Sequence, residues 1–195
     1  MPKTIRELLI AELHDMLDAE TQLTKALPKL VKAANSEELV TAFTDHLRQT
    51  EGHVKRLKQV METLGEMPKR KTCKAMAGLL EEGQELMNAD GPPNVKDQAL
   101  IAAAQKVEHY EMATYGCLRT WARLLDEPEA ADMLQETLDE EHEADKLLTR
   151  IAESLTPEMD ESDDDEDEER VTVKSARSGG TSAVAHRAPH SKKRS

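Results

Sequence analysis

Apolar residues recur at intervals of three and four along two long stretches at the start of the chain. In residues 4–34 they fall at Ile5, Leu9, Leu13, Met16, Leu23, Leu27 and Leu30, and in residues 36–64 at Leu39, Phe43, Leu47, Val54, Leu57 and Leu64. This spacing is typical of one face of an α-helix, so each stretch is predicted to form a long amphipathic helix. Thr4 and Glu7 form a capping-box signature before the first helix, and Asn35 and Ser36 are predicted to cap the second.

The rest of the chain to residue 155 also reads as helix. A short helix is predicted over 73–87, a third long helix over about 95–125 with Asn94 as its cap, and a fourth over 128–154. Strand patterns are lacking. The pattern therefore predicts an all-α fold, a ferritin-like four-helix bundle with an additional short helix between the second and third long helices. The connection over 65–94 is too long for a hairpin and is expected to cross the end or the length of the bundle.

Composition divides the chain into two parts. In 158–169 ten of twelve residues are acidic, and from 170 to 195 there are seven basic residues and none that is acidic. Because this stretch has too few apolar side chains to offset the entropy of ordering, residues 156–195 are predicted to be a disordered, acidic-then-basic tail, and residues 1–155 the helical bundle.

Charge and apolar content exclude several classes of protein. The net charge of −13 argues against a protein that binds nucleic acid through a basic surface. No apolar run reaches the roughly 20 residues that a membrane span needs. The two cysteines cannot form a disulfide framework, so a reduced, cytoplasmic setting is expected.

All four long helices carry polar side chains on their apolar stripes, close to mid-length. These side chains are Glu20 in the first helix, His46, Thr50 and His53 in the second, Glu108 and Glu111 in the third, and Glu141 and Asp145 in the fourth. In a bundle of helices of similar length, groups at mid-height meet whichever way each helix runs. The stripes therefore predict one buried polar cluster in the centre of the bundle.

Such a cluster requires positive charge. Burying an unpaired ion costs several kcal/mol, whereas a whole domain is stable by only about 5–15 kcal/mol. The two imidazoles are expected to be mostly neutral near pH 7, whereas two divalent cations would add +4 to the −5 of five carboxylates. We therefore predict two iron or manganese ions. The predicted ligands are Glu20, His53, Glu108, Glu111, Glu141, Asp145 and His46.

The ligand pattern departs from a standard ferritin-like site in the second helix. The usual Glu-x-x-His is here Thr50-x-x-His53. Thr50, Gln49 and Tyr115 are therefore predicted to support the ligands through hydrogen bonds. Other interpretations are that His46 is a structural hydrogen bonder and that Glu108 and Glu111 form a solvated edge of the third long helix.

Four segments resemble one known family. They are LHDMLDAETQLTKALPKL (13–30), CKAMAGLLEEG (73–83), QKVEHYEMATYGCL (105–118) and ETLDEEHEADKLL (136–148). In this order they resemble the YciE/YciF-type ferritin-like proteins, over residues 4–155. The resemblance implies a rubrerythrin-like bundle that tends to homodimerise, a link to bacterial stress responses and a dinuclear metal centre, but no settled activity.

Three functions are compatible with these patterns. The leading one is a dinuclear metal protein acting on oxygen or peroxide, an oxidoreductase whose only catalytic groups are the metal ligands. The second is a non-catalytic structural or interaction protein in which the metal site is vestigial or stabilising. Iron storage is the third, and it requires a shell of many subunits. No membrane or specific nucleic-acid partner is expected.

Overall fold

The computed structural model describes residues 1–155, and the predicted tail lies outside this described part. Five α-helices follow one another along the chain: α1 (Ile5–Ala33), α2 (Glu37–Thr63), α3 (Lys74–Asn88), α4 (Pro93–Leu124) and α5 (Pro128–Leu155). There is no strand within residues 1–155. The prediction of an all-α fold with four long helices and one short helix is confirmed.

Two helix hairpins make up the bundle. α1 packs against α2 and α4, and α5 packs against the same two helices. The Arg6 Nη2 atom donates to the Leu64 carbonyl oxygen at 2.8 Å, so α1 begins where α2 ends. The backbone N–H of Asn35 donates to Asp97 at 2.9 Å, so α1 ends where α4 begins. The connection from α2 to α4 therefore runs the length of the bundle, and α3 lies in it, packed on α1 and α4.

Local polar contacts determine the helix ends, and two of them differ from the prediction. The Thr4 hydroxyl accepts from the Glu7 N–H, but the Glu7 carboxylate accepts from the Lys3 N–H instead of closing the capping box on Thr4. α4 begins at Pro93, not Val95, because proline suits the first turn of a helix, where no intrahelical N–H bond is lost. Asn94 therefore lies inside α4, not at its cap.

Leucine-rich stripes fill the bundle above and below its middle. Leu9 and Leu13 of α1 are fully buried, as are Leu39 of α2 and Leu100 of α4. Burial of such a side chain contributes about 1.5–3 kcal/mol, so these layers hold the four long helices in register. No helix within residues 1–155 is long and apolar enough to cross a membrane. Between the apolar layers lies a set of buried ionisable side chains.

Candidate metal centre

Six ionisable side chains from all four long helices meet in the middle of the bundle. They are Glu20 from α1, His46 and His53 from α2, Glu108 and Glu111 from α4, and Glu141 from α5. None is more than 7% exposed, and three of the carboxylates are fully buried. We call these six residues the central cluster. Helical periodicity explains it, since each residue lies on the stripe that its helix turns inward.

The central cluster divides into two groups that share Glu141. In one group, His46 Nε2 lies 3.2 Å from a Glu108 oxygen and 4.0 Å from Glu141 Oε2. In the other, His53 Nδ1 lies 2.9 Å from Glu141 Oε1 and 3.5 Å from Glu20 Oε1. Within each group the possible ligand atoms lie within 4.8 Å of one another, and Glu111 joins the first group. This arrangement would suit two neighbouring cations bridged by one carboxylate.

Most polar atoms of the central cluster have no hydrogen-bond partner among residues 1–155. Eight are unpaired: one oxygen each of Glu20 and Glu108, both oxygens of Glu111 and Glu141, Nε2 of His46 and Nδ1 of His53. His53 Nδ1 is close to Glu141 but is not aligned for a hydrogen bond. A buried, unsatisfied polar atom costs about 1–3 kcal/mol. Oxygen and imidazole donors directed at a common point suit iron, manganese or zinc, so the residues present fit a metal.

The outer nitrogen of each imidazole has its own partner. His53 Nε2 lies 2.9 Å from Glu140 Oε2, and Arg56 donates to that same oxygen at 2.7 Å. His46 Nδ1 lies 3.4 Å from the side-chain oxygen of Gln49. With the outer N–H donating to these oxygens, loss of the remaining ring proton leaves a lone pair directed into the central cluster. This is how metal-ligating histidines are usually oriented.

The electrostatics of the central cluster correct one expectation. Burial by itself lowers the pKa of both histidines. Contacts with Glu108 outweigh this effect and raise the pKa of His46 to about 9, and contacts with Glu141 and Glu20 raise the pKa of His53 to about 10. The expectation of neutral imidazoles is therefore wrong for the metal-free protein. Without metal they hold protons, because their carboxylate neighbours are very close.

The buried acids also have raised pKa values, but here burial itself is the main cause. It raises the pKa of Glu20 and of Glu141. Burial, together with the charges of Glu20 and Glu141, raises the pKa of Glu111 well above its ordinary value. The metal-free cluster therefore retains several protons, and cations binding there would have to displace them.

One predicted ligand lies outside the central cluster. Asp145 is half-buried at the contact between α5 and α4, where its Oδ1 accepts from Gln105 at 3.1 Å and lies 3.4 Å from His109 Nε2. The structure therefore does not bring Asp145 together with the other six predicted ligands. Its position on α5 is one turn beyond Glu141 but rotated toward α4, so the side chain meets that helix instead of the centre.

The three predicted supporting residues lie next to the central cluster. The Tyr115 hydroxyl donates to Glu20 Oε1, and burial raises the pKa of Tyr115 well above its usual value. Gln49 meets His46 as described above, and the Thr50 hydroxyl donates to the His46 carbonyl oxygen at 2.8 Å. Of these three residues, only Tyr115 and Gln49 form a hydrogen bond with a side chain of the central cluster within residues 1–155.

Sequence reasoning missed Glu140 and Arg56. Arg56 donates to the Thr137 hydroxyl and to Glu136, which anchors its guanidinium on α5. Arg56 outweighs the effect of burial and lowers the pKa of Glu140, which keeps that carboxylate charged beside His53. The only signal available was helical spacing: Arg56 lies three residues after His53, so both face the same neighbouring helix.

The fold and the central cluster define a ferritin-like helical bundle with a candidate dinuclear metal centre. Comparison with known proteins gives the family. The chain belongs to the family described as Domain of unknown function (DUF892), whose sequence model matches residues 4–160. It is 48% identical over 151 residues to protein YciF of Escherichia coli (strain K12), covering 77% of this chain and 91% of that protein. The resemblance found in the sequence is confirmed.

Solved structures agree with this assignment. The crystal structure of the E. coli stress protein YciF matches with a TM-score of 0.78 and 46% identity, covering 80% of this chain and 99% of that one. YcfI from Rhodopseudomonas palustris, described as a candidate structural protein, matches with a TM-score of 0.73 and 39% identity over 75% of this chain and 94% of its own. A protein from Xanthomonas campestris pv. campestris, at 21% identity and a TM-score of 0.65 over 81% of this chain and 97% of its own, shares the fold.

Proposed function

We propose that this protein holds a carboxylate-bridged dinuclear iron or manganese centre and reacts with oxygen or peroxide as part of a stress response. One observation carries the proposal: six side chains from four helices meet in the buried core, and eight of their polar atoms have no hydrogen-bond partner within residues 1–155. Glu141 belongs to both ligand groups. The similarity to the E. coli stress protein YciF supports the link to stress.

Each proposed cation position has one imidazole and one carboxylate of its own. His46 and Glu108 would hold one ion, His53 and Glu20 the other, and Glu141 would bridge them with Glu111 beside it. The −4 of these four carboxylates would balance the +4 of two divalent cations. Bound iron or manganese would supply electrons for the reduction of an O–O bond.

The side chains around the central cluster define the conditions for that chemistry. Burial excludes bulk water and so limits side reactions. The Tyr115 hydroxyl holds a proton against Glu20 Oε1, and Glu140 holds one at His53 Nε2. Reduction of peroxide to water consumes protons, and these two groups keep protons at the margin of the site.

Metal analysis followed by a peroxide assay tests the proposal. Protein reconstituted with ferrous iron or manganese at neutral pH should retain about two ions per chain after desalting. It should consume hydrogen peroxide over repeated turnovers when a reductant such as ascorbate is supplied to restore the divalent ions. The Glu141→Gln variant is the control, because it removes the shared carboxylate and should lower both readings. Retention of less than about one ion per chain by the unmodified protein would overturn the proposal.

A structural role is the second candidate, and it is favoured by the description of the similar YcfI protein. In that case the cations would neutralise buried charge and so hold the four helices together, without catalysis. Removing metal would then lower the melting temperature, while the metal-loaded protein would show no peroxide consumption above that of free metal.

Light scattering would test the homodimer that the family resemblance implies. A shell of many subunits would instead indicate iron storage.

A further inference from the structure

A cavity of about 470 Å³ lies beside the central cluster, on the side toward the end of α1. Side chains from all five helices line it, and most of them are apolar, including Leu27, Phe43 and Val107. His46 and Glu108 also line it, so the cavity reaches one of the two ligand groups. Its volume is in the range of about 300–1,000 Å³ that is typical of sites for small organic molecules.

Small residues create this space. Ala26, Ala103, Ala104 and Gly83 line the cavity at positions where larger side chains would fill the bundle. A Cβ atom built on Gly83 would meet only ordinary van der Waals contact, 3.8 Å from the Ala103 Cβ. Protein cores are otherwise close-packed, and an unfilled cavity destabilises the fold in proportion to its volume. An apolar ligand would recover that loss.

The charges at the rim favour an anionic head group. Lys25 and Lys29 lie one turn apart on α1, both exposed, and form no ion pair within residues 1–155. The acidic rim residues Asp45 and Glu143 are already paired, with Arg48 at 2.6 Å and Lys146 at 2.7 Å. The cationic side chains of the rim are therefore the ones free to bind a ligand.

The two ends of the cavity differ in charge, and this difference orients a ligand. The inner end meets the buried Glu108, where another anion would be repelled unless it replaced a metal ligand. The rim offers two ammonium groups in water. An apolar chain with one negative end would place its charge at the lysines and its tail in the apolar interior.

We propose that this cavity binds a long-chain carboxylate, with the carboxylate at Lys25 and Lys29 and the apolar end beside His46 and Glu108. The ligand would then lie next to the proposed metal centre and could serve as an organic substrate of that centre. That second role rests on the proposed function, whereas binding itself requires only the cavity and its rim.

Binding is tested with dodecanoate and dodecylammonium, which share a chain and differ in the sign of the head group. Calorimetric titration of the metal-free full chain should show dodecanoate bound at least about tenfold more tightly. In NMR spectra of the same sample, the terminal methyl group should show contacts to the rings of Phe43 and His46. Equal affinity for the two amphiphiles, or no binding of dodecanoate, would overturn the proposal. A second copy of the chain covering the cavity would prevent dodecanoate from binding.

Two pairs of variants locate the site. Ala103→Leu fills the cavity and should weaken dodecanoate binding at least about tenfold, whereas Ala102→Leu, an exposed neighbour outside the lining, should not. Lys25→Glu with Lys29→Glu should weaken it about tenfold, and Lys55→Glu with Lys58→Glu, exposed on α2, should leave it unchanged. If Ala103→Leu fails to fold, the lysine pair still decides, because those side chains are on the surface. Unchanged binding in the lysine variant would refute the proposed rim.

Metal content is measured separately on every sample. Dodecanoate binding without metal uptake would leave the cavity assignment standing and count against the proposed function. Metal uptake without dodecanoate binding would have the opposite meaning, so the two failures are distinguishable.

Discussion

At the residue scale, Glu141 has the most demanding position in the protein. It is fully buried, each of its oxygens faces a different histidine, and neither oxygen has a hydrogen-bond partner within residues 1–155. A carboxylate that serves only stability would be expected to pair with a donor. Its geometry would suit a bridge between two cations, and the neighbouring Asp145 supplies a contrast on the same helix.

Replacing Glu141 should therefore lower the metal content, whereas replacing Asp145 should leave it unchanged. Glu141→Gln removes the carboxylate shared by both ligand groups and should lower retained metal from about two ions per chain to less than one. Asp145→Asn changes only contacts with Gln105 and His109, so metal content should stay within error of the unmodified protein. Elemental analysis after desalting measures both. Loss of metal in Asp145→Asn would mean that Asp145 moves into the site when cations bind.

Glu140 allows a second prediction, on an interaction one step removed from the cluster. Glu140→Gln weakens the acceptor for His53 Nε2, so the imidazole should be a poorer ligand and metal affinity should fall about 10–100-fold. The matched control is Glu136→Gln, which changes only the exposed contact with Arg56. Competition with a chelator of known affinity measures the effect. Equal affinities in the two variants would show that Glu140 does not orient His53.

Sequence alone could predict the direction and height of the cluster residues but not their partners. Glu20 and Glu111 follow from helical spacing, because a residue on the apolar stripe at mid-length points to the centre of any bundle. Asp145 lies at the edge of its stripe, where the rotation of α5 against α4 decides between core and contact surface. Glu140 and Arg56 meet only because of the rotation of α5 against α2. Such rotations depend on side-chain packing between helices, which periodicity does not encode.

At the element scale, Asp97 ties the start of α4 to the connection between α1 and α2. Asp97, only 2% exposed, accepts hydrogen bonds from the backbone N–H groups of Asn35 and Ser36. One carboxylate on α4 thus caps the connection between α1 and α2 and joins the two hairpins. The sequence predicted Ser36 as a cap but gave no sign of Asp97, because that contact depends on where the long connection delivers α4.

Removing this carboxylate should loosen the bundle at one end. Asp97→Ala leaves two backbone N–H groups without their charged acceptor and should lower the free energy of unfolding by about 2–4 kcal/mol. Asp90→Ala, an exposed change in the preceding turn, should cost less than about 0.5 kcal/mol. Urea denaturation followed by circular dichroism compares them. Equal stability of the two variants would mean that Asp97 contributes no more than a surface residue.

At the scale of the whole molecule, the central cluster couples folding to protons and would couple it to metal. The same side chains that would hold cations hold protons in their absence. Close carboxylates raise the pKa values of both histidines, and burial raises those of three acids. Any ligand that binds only the folded state adds to its stability by mass action. Protons and metal should therefore compete for one site and stabilise the fold in opposite ranges of pH.

The metal-free protein should accordingly become less stable as pH rises. The pKa values of His46 and His53 rise on folding from 6.5 to about 9 and about 10, so their contribution is complete below pH 6.5 and is lost as pH passes through these raised values. The acids with raised pKa act with the same sign, since the folded state binds their protons more tightly. Between pH 6.5 and about 9.5 the free energy of unfolding should fall by at least about 2 kcal/mol.

Metal should reverse this slope. Bound cations would displace the ring protons, so the affinity of the site for cations should rise as pH rises and these protons are lost. The stabilisation that cations add should therefore increase over the same pH range. Urea unfolding with and without manganese, at several pH values, measures both slopes. His46→Gln with His53→Gln should flatten the metal-free profile, because neither glutamine titrates. A metal-free protein whose stability is constant or increases from pH 6.5 to about 9.5 would show that the two imidazoles hold no extra protons. The hypothesis that cations replace protons in the core would then be wrong.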